Sequence, residues 1–157
     1  MKIKTIRLAM TAFALLALAN LLAPLGVGAQ DSMMSNMSKA RGSKPTVAII
    51  RADWCGACQK LEPTLTRLME EYGDRLNFVV LDVSNDEKTA ASAATARKLG
   101  LGKFFDANKK KTSTVAVFGA KNKLLSLTHY SRNKNTAFDR ETYVRAFDAA
   151  VAGAKRS

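Results

Sequence analysis

Hydrophobic positions along this chain come as short continuous runs and as repeats at spacings of three and four, and together they outline alternating strands and helices. Thr46 to Ala52 is a β-branched apolar run, which predicts a buried strand. Leu61, Leu65, Leu68, Met69 and Tyr72 then fall at spacings of three and four, the mark of a helix with one apolar face, which Gly73 ends. Pro63 lies inside that helix and has no N–H for the preceding turn, so a kink is expected there. Leu76 to Val83 is nearly all apolar, as a strand covered on both faces would be. Asp86 to Leu99 is alanine-rich and helical, and Gly100 stops it. Leu101 to Lys111 reads as a basic connection whose Phe104 and Phe105 pack back on the domain. Thr114 to Phe118 is a third strand, and Gly119-Ala120-Lys121-Asn122 turns the chain into a fourth, Lys123 to Tyr130. Asp139 caps a last helix, with Tyr143, Phe147 and Val151 inward.

The element order is β-α-β-α-β-β-α, an α/β arrangement. Strand-helix-strand units imply parallel pairing with right-handed crossovers, and the short turn after Phe118 implies an antiparallel hairpin. A mixed four-stranded sheet with helices on both faces follows. At 157 residues one domain is expected, and there is no internal repeat.

Part of the 47% hydrophobic content belongs to no core. Lys2, Lys4 and Arg7 form a basic start, Leu8 to Leu22 an apolar run, and Val27-Gly28-Ala29 a small-residue cleavage site. Residues 1–29 therefore read as a signal peptide, with an uncleaved membrane anchor as the alternative. Residues 30–43 are polar and aperiodic, a flexible leader, and 44–157 the folded domain. Such a protein is exported, periplasmic or extracytoplasmic, with no stable membrane insertion after cleavage. We expect a monomer.

The formal charge is +12, and cleavage would remove three basic residues and no acidic one, leaving +9. The basic residues are scattered apart from Lys109-Lys110-Lys111, and no aromatic and basic interleaving suggests nucleic acid. Acidic partners or an envelope surface fit better.

The candidate chemistry lies in Trp54-Cys55-Gly56-Ala57-Cys58. Two intervening residues put the two sulfurs within bonding range. Cys55 falls where strand passes to helix, facing unpaired N–H groups and the positive end of the dipole, which favours thiolate. A thiolate attacks a disulfide to form a mixed disulfide, which a second cysteine one turn on can resolve. Gly56 allows the tight turn, and Trp54 shields the sulfur and offers substrate an apolar surface. Export permits an oxidised pair. The same spacing is half of a zinc site, but Cys55, Cys58 and the lone His129 fall short of four ligands. Redox chemistry, metal binding and an inert pair are the three readings of the motif.

This motif, preceded by a hydrophobic strand and followed by Pro63 in the helix, resembles thioredoxin. Glu70-Glu71-Tyr72, the strand ending Leu81-Asp82-Val83 and the strand Thr114 to Phe118 are similar too. The resemblance implies a thioredoxin-like fold over residues 44–155, Cys55 as nucleophile and Cys58 as resolving thiol. It also marks departures. Ala57 stands where thioredoxin has proline, a position that tunes redox potential. Ile49 stands at the family's buried acid, for which Glu62 or Asp53 are the candidate substitutes. Ser113 replaces the cis-proline before Thr114, and a non-proline cis bond costs about 3 kcal/mol, so a trans Ser113 is expected. Trp54, Gly56, Ala57, Ser113 and Thr114 are thus the candidates for the substrate groove.

The leading functional reading is a thiol-disulfide oxidoreductase acting on exported protein thiols and disulfides. It needs no cofactor beyond its own disulfide and no metal, and depends on an unidentified redox partner. Two alternatives stand beside it. One is a Cu(I)-handling module in which Cys55 and Cys58 are joined by His129 or by Met33, Met34 and Met37. The other is a non-catalytic domain that binds a partner through the Leu101–Lys111 segment. His129 is read first as a strand residue beside Leu125 and Leu127, Lys60 as a solvated helix lysine, and Lys109 to Lys111 as a solvated loop.

Overall fold

The computed structural model describes residues 44–156. The segments read from the sequence as a signal peptide and a flexible leader, with the methionines Met33, Met34 and Met37, lie outside the described residues. Four strands, β1 (Thr46–Arg51), β2 (Asn77–Asp82), β3 (Thr114–Phe118) and β4 (Leu124–His129), form one sheet in the order β2-β1-β3-β4. β1 pairs parallel with β2, and antiparallel pairing joins β1 to β3 and β3 to β4. The sheet is mixed as expected, but the parallel pairing expected of strand-helix-strand units holds only for β1 and β2: the helical connection from β2 brings β3 back in the opposite direction, antiparallel to β1.

The helices are α1 (Gly56–Tyr72), α2 (Asp86–Lys98), α3 (Gly102–Asn108) and α4 (Arg140–Ala154). α3 corrects the sequence reading, which made Leu101 to Lys111 a connection. Leu101 just before it and Phe104 and Phe105 within it sit three and four apart, a helical spacing masked by the glycines on either side of Leu101 and by the lysines around the phenylalanines. Leu101 and Phe105 are buried, and the Phe104 ring meets Phe118 edge-on at 5.1 Å. The inward packing expected of both phenylalanines is therefore present, on a helix rather than a loop.

Alternation along the strands sends side chains to two cores. Val47, Ile49, Val115 and Val117 face α1 and α4, where Leu61, Leu65, Leu68, Tyr72, Tyr143 and Phe147 fill the layer. Ala48, Ile50, Ala116 and Phe118 face the other way, against Ala96 of α2 and Leu101 and Phe105 beside it. Helices thus cover both faces. In α4 Tyr143 and Phe147 are inward as expected, but the third buried position is Ala150, and Val151 is only partly buried. α1 runs without interruption past Pro63. Gly100 ends α2 with φ +72°, the left-handed conformation that glycine adopts without penalty. Asp139 caps α4 as expected, its carboxylate accepting from the Glu141 N–H at 3.1 Å. The hairpin turn after Phe118 puts Lys121 and Asn122 in the left-handed region as well.

No helix among the described residues is long and apolar enough to cross a membrane.

Candidate active site

The end of β1 feeds directly into α1, and the cysteines sit at that junction. The Cys55 N–H donates to the Ala52 carbonyl at 3.1 Å, which closes a turn over Asp53 and Trp54. Cys55 is the N-cap of α1: its carbonyl accepts from the N–H of Cys58 and of Gln59, and its Sγ accepts from the Cys58 N–H at 3.2 Å. The two cysteines form a disulfide, their Cα atoms 5.2 Å apart. In the reduced protein the same N–H groups and the dipole end would face a thiolate at Cys55. Both cysteines are buried, packed with Ala52 and with partly buried Ala57 and Val83.

Trp54, next in sequence to the buried Cys55, is exposed at 67% of its surface. A bracket from the start of α2 fixes its base. Trp54 Nε1 donates to the Ser84 carbonyl at 3.1 Å, and the Asp53 N–H donates to Ser84 Oγ at 2.8 Å. The Ser84 hydroxyl in turn donates to Asp82. Lys88 bridges Asp53 and Asp82 at 2.7 and 3.3 Å, while Arg51 reaches the same two at 3.0 and 3.2 Å. The Lys88 hydrogen bond holds the Asp53 carboxyl below its usual range. Burial pushes Asp82 upward, but hydrogen bonds from Ser84 and Lys88 outweigh it and the net shift is down. Asp53 was a candidate substitute for the missing acid, and this network already engages it. Sequence reasoning missed the bracket, because Ser84 and Lys88 carry no periodic signal and lie about thirty residues from the motif.

Gly56 stands differently from its expected role. Its φ is not in the left-handed region and a Cβ there would meet nothing within 4 Å, so neither backbone nor space demands glycine. What its lack of a side chain does is leave the surface next to Cys55 open.

Ser113 lies immediately before β3 with a trans peptide bond and φ +59°, a left-handed conformation rare for serine. It is 6% exposed and lines a cleft of about 210 Å³ together with Cys58. Thr114 is fully buried and its hydroxyl donates to the Lys111 carbonyl at 2.6 Å, so it braces the loop. The β3–β4 register sets His129 opposite Thr114, one residue from Ser113. His129 Nδ1 lies 2.7 Å from the Ser131 hydroxyl. Burial lowers the His129 pKa, a hydrogen bond with the Thr112 backbone opposes this, and the Lys111 and Arg132 charges add to the lowering. The Lys60 ammonium lies over the Phe138 ring, 4.4 Å from its centre. Among the described residues no group of three or more His, Cys, Asp and Glu could hold a metal ion.

A family model described as thioredoxin matches residues 30–126, more than half of the chain. The thioredoxin-like protein HCF164 of rice chloroplasts is 48% identical over 42 residues, 27% of this chain and 16% of that protein. The TxlA homologue of Synechocystis, a thiol:disulfide interchange protein, is 41% identical over 44 residues, 28% of this chain and 24% of that one. Spinach chloroplast thioredoxin F-type is 36% identical over 97 residues, 60% of this chain and 48% of that protein. These matches therefore span at most about half of each relative's length. Among solved structures, Fasciola hepatica thioredoxin is 14% identical, covering 76% of this chain and 93% of its own, with a TM-score of 0.47. With the family match, the sheet order and the cysteine pair at the β1–α1 junction in agreement, the chain belongs to the thioredoxin family.

Proposed function

We propose that this protein is an exported thiol-disulfide oxidoreductase that exchanges disulfides with protein substrates. The observation that carries the reading is the placement of the Cys55–Cys58 disulfide at the N-terminus of α1, directly after the exposed Trp54 in the chain. Cys55 holds the N-cap, where N–H groups and helix dipole stabilise a thiolate. Its attack on a substrate disulfide forms a mixed disulfide and frees one substrate thiolate. Cys58 then attacks Cys55 Sγ, forms the internal disulfide and frees the second thiolate. The reverse sequence oxidises a substrate dithiol. Export rests on the basic, apolar and small-residue pattern of residues 1–29. A separate redox partner would restore the pair after each turnover.

A redox titration of the purified protein in thiol buffers, read by alkylation and mass, tests this. Equilibration near the thioredoxin value of about −270 mV makes the protein a reductant, and a value nearer about −120 mV makes it a donor of disulfides. A pair that never exchanges with the buffer overturns the proposal.

A further inference from the structure

The strand register fixes which loops meet the cysteines. Ile50 near the end of β1 pairs with Thr114 at the start of β3, and Thr114 pairs with His129 at the end of β4. The segment entering β3 (residues 109–113) and the segment leaving β4 (residues 130–138) therefore emerge at the same end of the sheet as the β1–α1 junction. Side-chain contacts agree with this placement. Ser113 shares a cleft with Cys58. Phe138 packs beside Tyr130, ring centres 5.3 Å apart, and the Lys60 ammonium over its face comes from two residues beyond Cys58.

Charge is divided across this end of the sheet. In the strand order β2-β1-β3-β4, the acidic side chains beside the cysteines lie toward β2. Asp53 and Asp82 are matched there by Arg51 and Lys88, and Glu62 lines the cleft that Val80 of β2 borders. Toward β4, neither segment holds an acidic residue, and the next acid along the chain, Asp139, is engaged in the α4 cap. Lys109 pairs with Asp106 of α3. Lys110, Lys111, Arg132 and Lys134 are exposed and form no ion pair among the described residues. The two segments also approach each other: the Arg132 N–H donates to the His129 carbonyl at 3.0 Å, and the charges of Lys111 and Arg132 both act on the His129 ring. Like charges gathered without counter-charges repel one another in the fold, and an anionic partner relieves that repulsion.

We propose that Lys110, Lys111, Arg132 and Lys134 form a cationic rim that docks an acidic segment flanking the reactive disulfide of the protein substrate. The inference rests on the thiol-exchange reading above and names the class of substrate that the site takes. A polypeptide fits better than a lipid surface, because the rim adjoins the exchange site and a membrane lying across both loops would cover the approach to the cysteines. Exposed charges of this kind act on encounter: they raise association rates by factors of about ten to a thousand at low salt, with a small effect on the contact once made. Substrates are thus selected by how fast they reach Cys55, while the sulfur chemistry stays the same.

The test uses two synthetic peptides of equal length, each closed by one disulfide, with a run of glutamates beside the disulfide in one and an equal run of glutamines in the other. Reduced protein is mixed with each, and the second-order rate constant is read by acid quench and mass. Bis(2-hydroxyethyl) disulfide, small and uncharged, reports the chemistry alone. The glutamate peptide should react about tenfold faster than the glutamine peptide at low salt. The ratio should fall to within about twofold in about 1 M salt, where the Debye length is about 3 Å. Combining Lys110→Gln, Lys111→Gln, Arg132→Gln and Lys134→Gln should abolish the preference while the uncharged disulfide is still reduced, which shows that the variant folds. Combining Lys44→Gln, Lys98→Gln, Lys121→Gln and Lys123→Gln removes as many exposed charges from the opposite end of the sheet and should keep it. Equal loss in the two variants would assign the preference to net charge and overturn the rim. Equal rates for the two peptides in the wild type, with the uncharged disulfide still reduced, overturn the docking surface alone. Binding to phosphatidylglycerol vesicles that the rim variant loses, together with equal peptide rates, would give the rim to a membrane and overturn the acidic substrate. Failure of the wild type to reduce any of the three disulfides overturns the exchange reading and this inference with it.

Discussion

The indole N–H of Trp54 donates to the main-chain carbonyl of Ser84 at 3.1 Å, which ties the residue before the first cysteine to the entrance of α2. The ring is thereby held in place while two-thirds of its surface stays open. An exposed aromatic group of fixed orientation costs little entropy to bury against a partner.

Trp54→Ala should therefore slow exchange with a folded protein disulfide more than with oxidised glutathione, which is too small to cover the ring. A loss of about tenfold is expected, equivalent to about 1.4 kcal/mol, within the range for aromatic contacts. Parallel rate measurements on both substrates check this. Equal losses on the two would show that the ring tunes the sulfur instead of meeting the substrate.

The cysteines are almost equally buried, at 8% and 6%, so exposure does not separate nucleophile from resolver. The N-cap position does, because only Cys55 accepts hydrogen bonds at the helix start. Cys58→Ser should accumulate a mixed disulfide with an oxidised protein substrate, visible as a reducible adduct by mass. Cys55→Ser should accumulate none. The opposite pattern would exchange the two roles.

Much of this site was legible in the sequence for a local reason. The pair, the strand before it and the helix after it are contiguous, and the pattern changes from a continuous apolar run to spacings of three and four after the cysteines. The groups brought to the site from afar were not legible. Ser84 and Lys88 reach Asp53 and Trp54 through parallel pairing of β1 with β2, which no local pattern encodes. His129 reaches the Ser113 loop through a hairpin with an irregular register between Val117 and Phe118. α3 was missed because the Leu101–Lys111 segment carries four lysines against the three anchors Leu101, Phe104 and Phe105.

Phe105 tests that last element. It is 1% exposed and fills the layer between α3 and the sheet with Ile50 and Leu81. Phe105→Ala should cost about 3–5 kcal/mol of unfolding free energy, as buried phenylalanines do. Chemical denaturation monitored by circular dichroism measures it. A cost below about 1 kcal/mol would mean that the segment is peripheral to the core.

His129 gives a pH signature. Its pKa in the fold lies below the ordinary 6.5, mainly because burial disfavours the imidazolium. The unfolded chain therefore binds this proton at a higher pH than the folded one does. The stability tied to neutral His129 is complete above about pH 6.5 and is lost as pH falls toward the folded pKa and below it. His129→Gln should flatten the decline of stability on acidification from pH 7 to 5, measured as the urea midpoint at each pH. An unchanged slope would show that other groups account for the decline.

Ser113 sets the shape of the loop beside Cys58, and its φ of +59° separates two substitutions that sequence comparison would not. Glycine adopts this conformation freely, whereas a residue with a Cβ pays about 1 kcal/mol for it. Ser113→Gly should therefore leave stability within about 1 kcal/mol of wild type, the relief in the fold offset by greater freedom in the unfolded chain. Proline is locked near φ −65°, so Ser113→Pro must rebuild the loop even though thioredoxin carries proline there. It should destabilise the fold by more than about 1 kcal/mol. It should also alter exchange with protein disulfides, because Ser113 and Cys58 share one cleft. Denaturation and exchange rates on the two variants check both halves. A Ser113→Pro protein as stable and as active as wild type would show that the loop adopts the negative φ readily in solution.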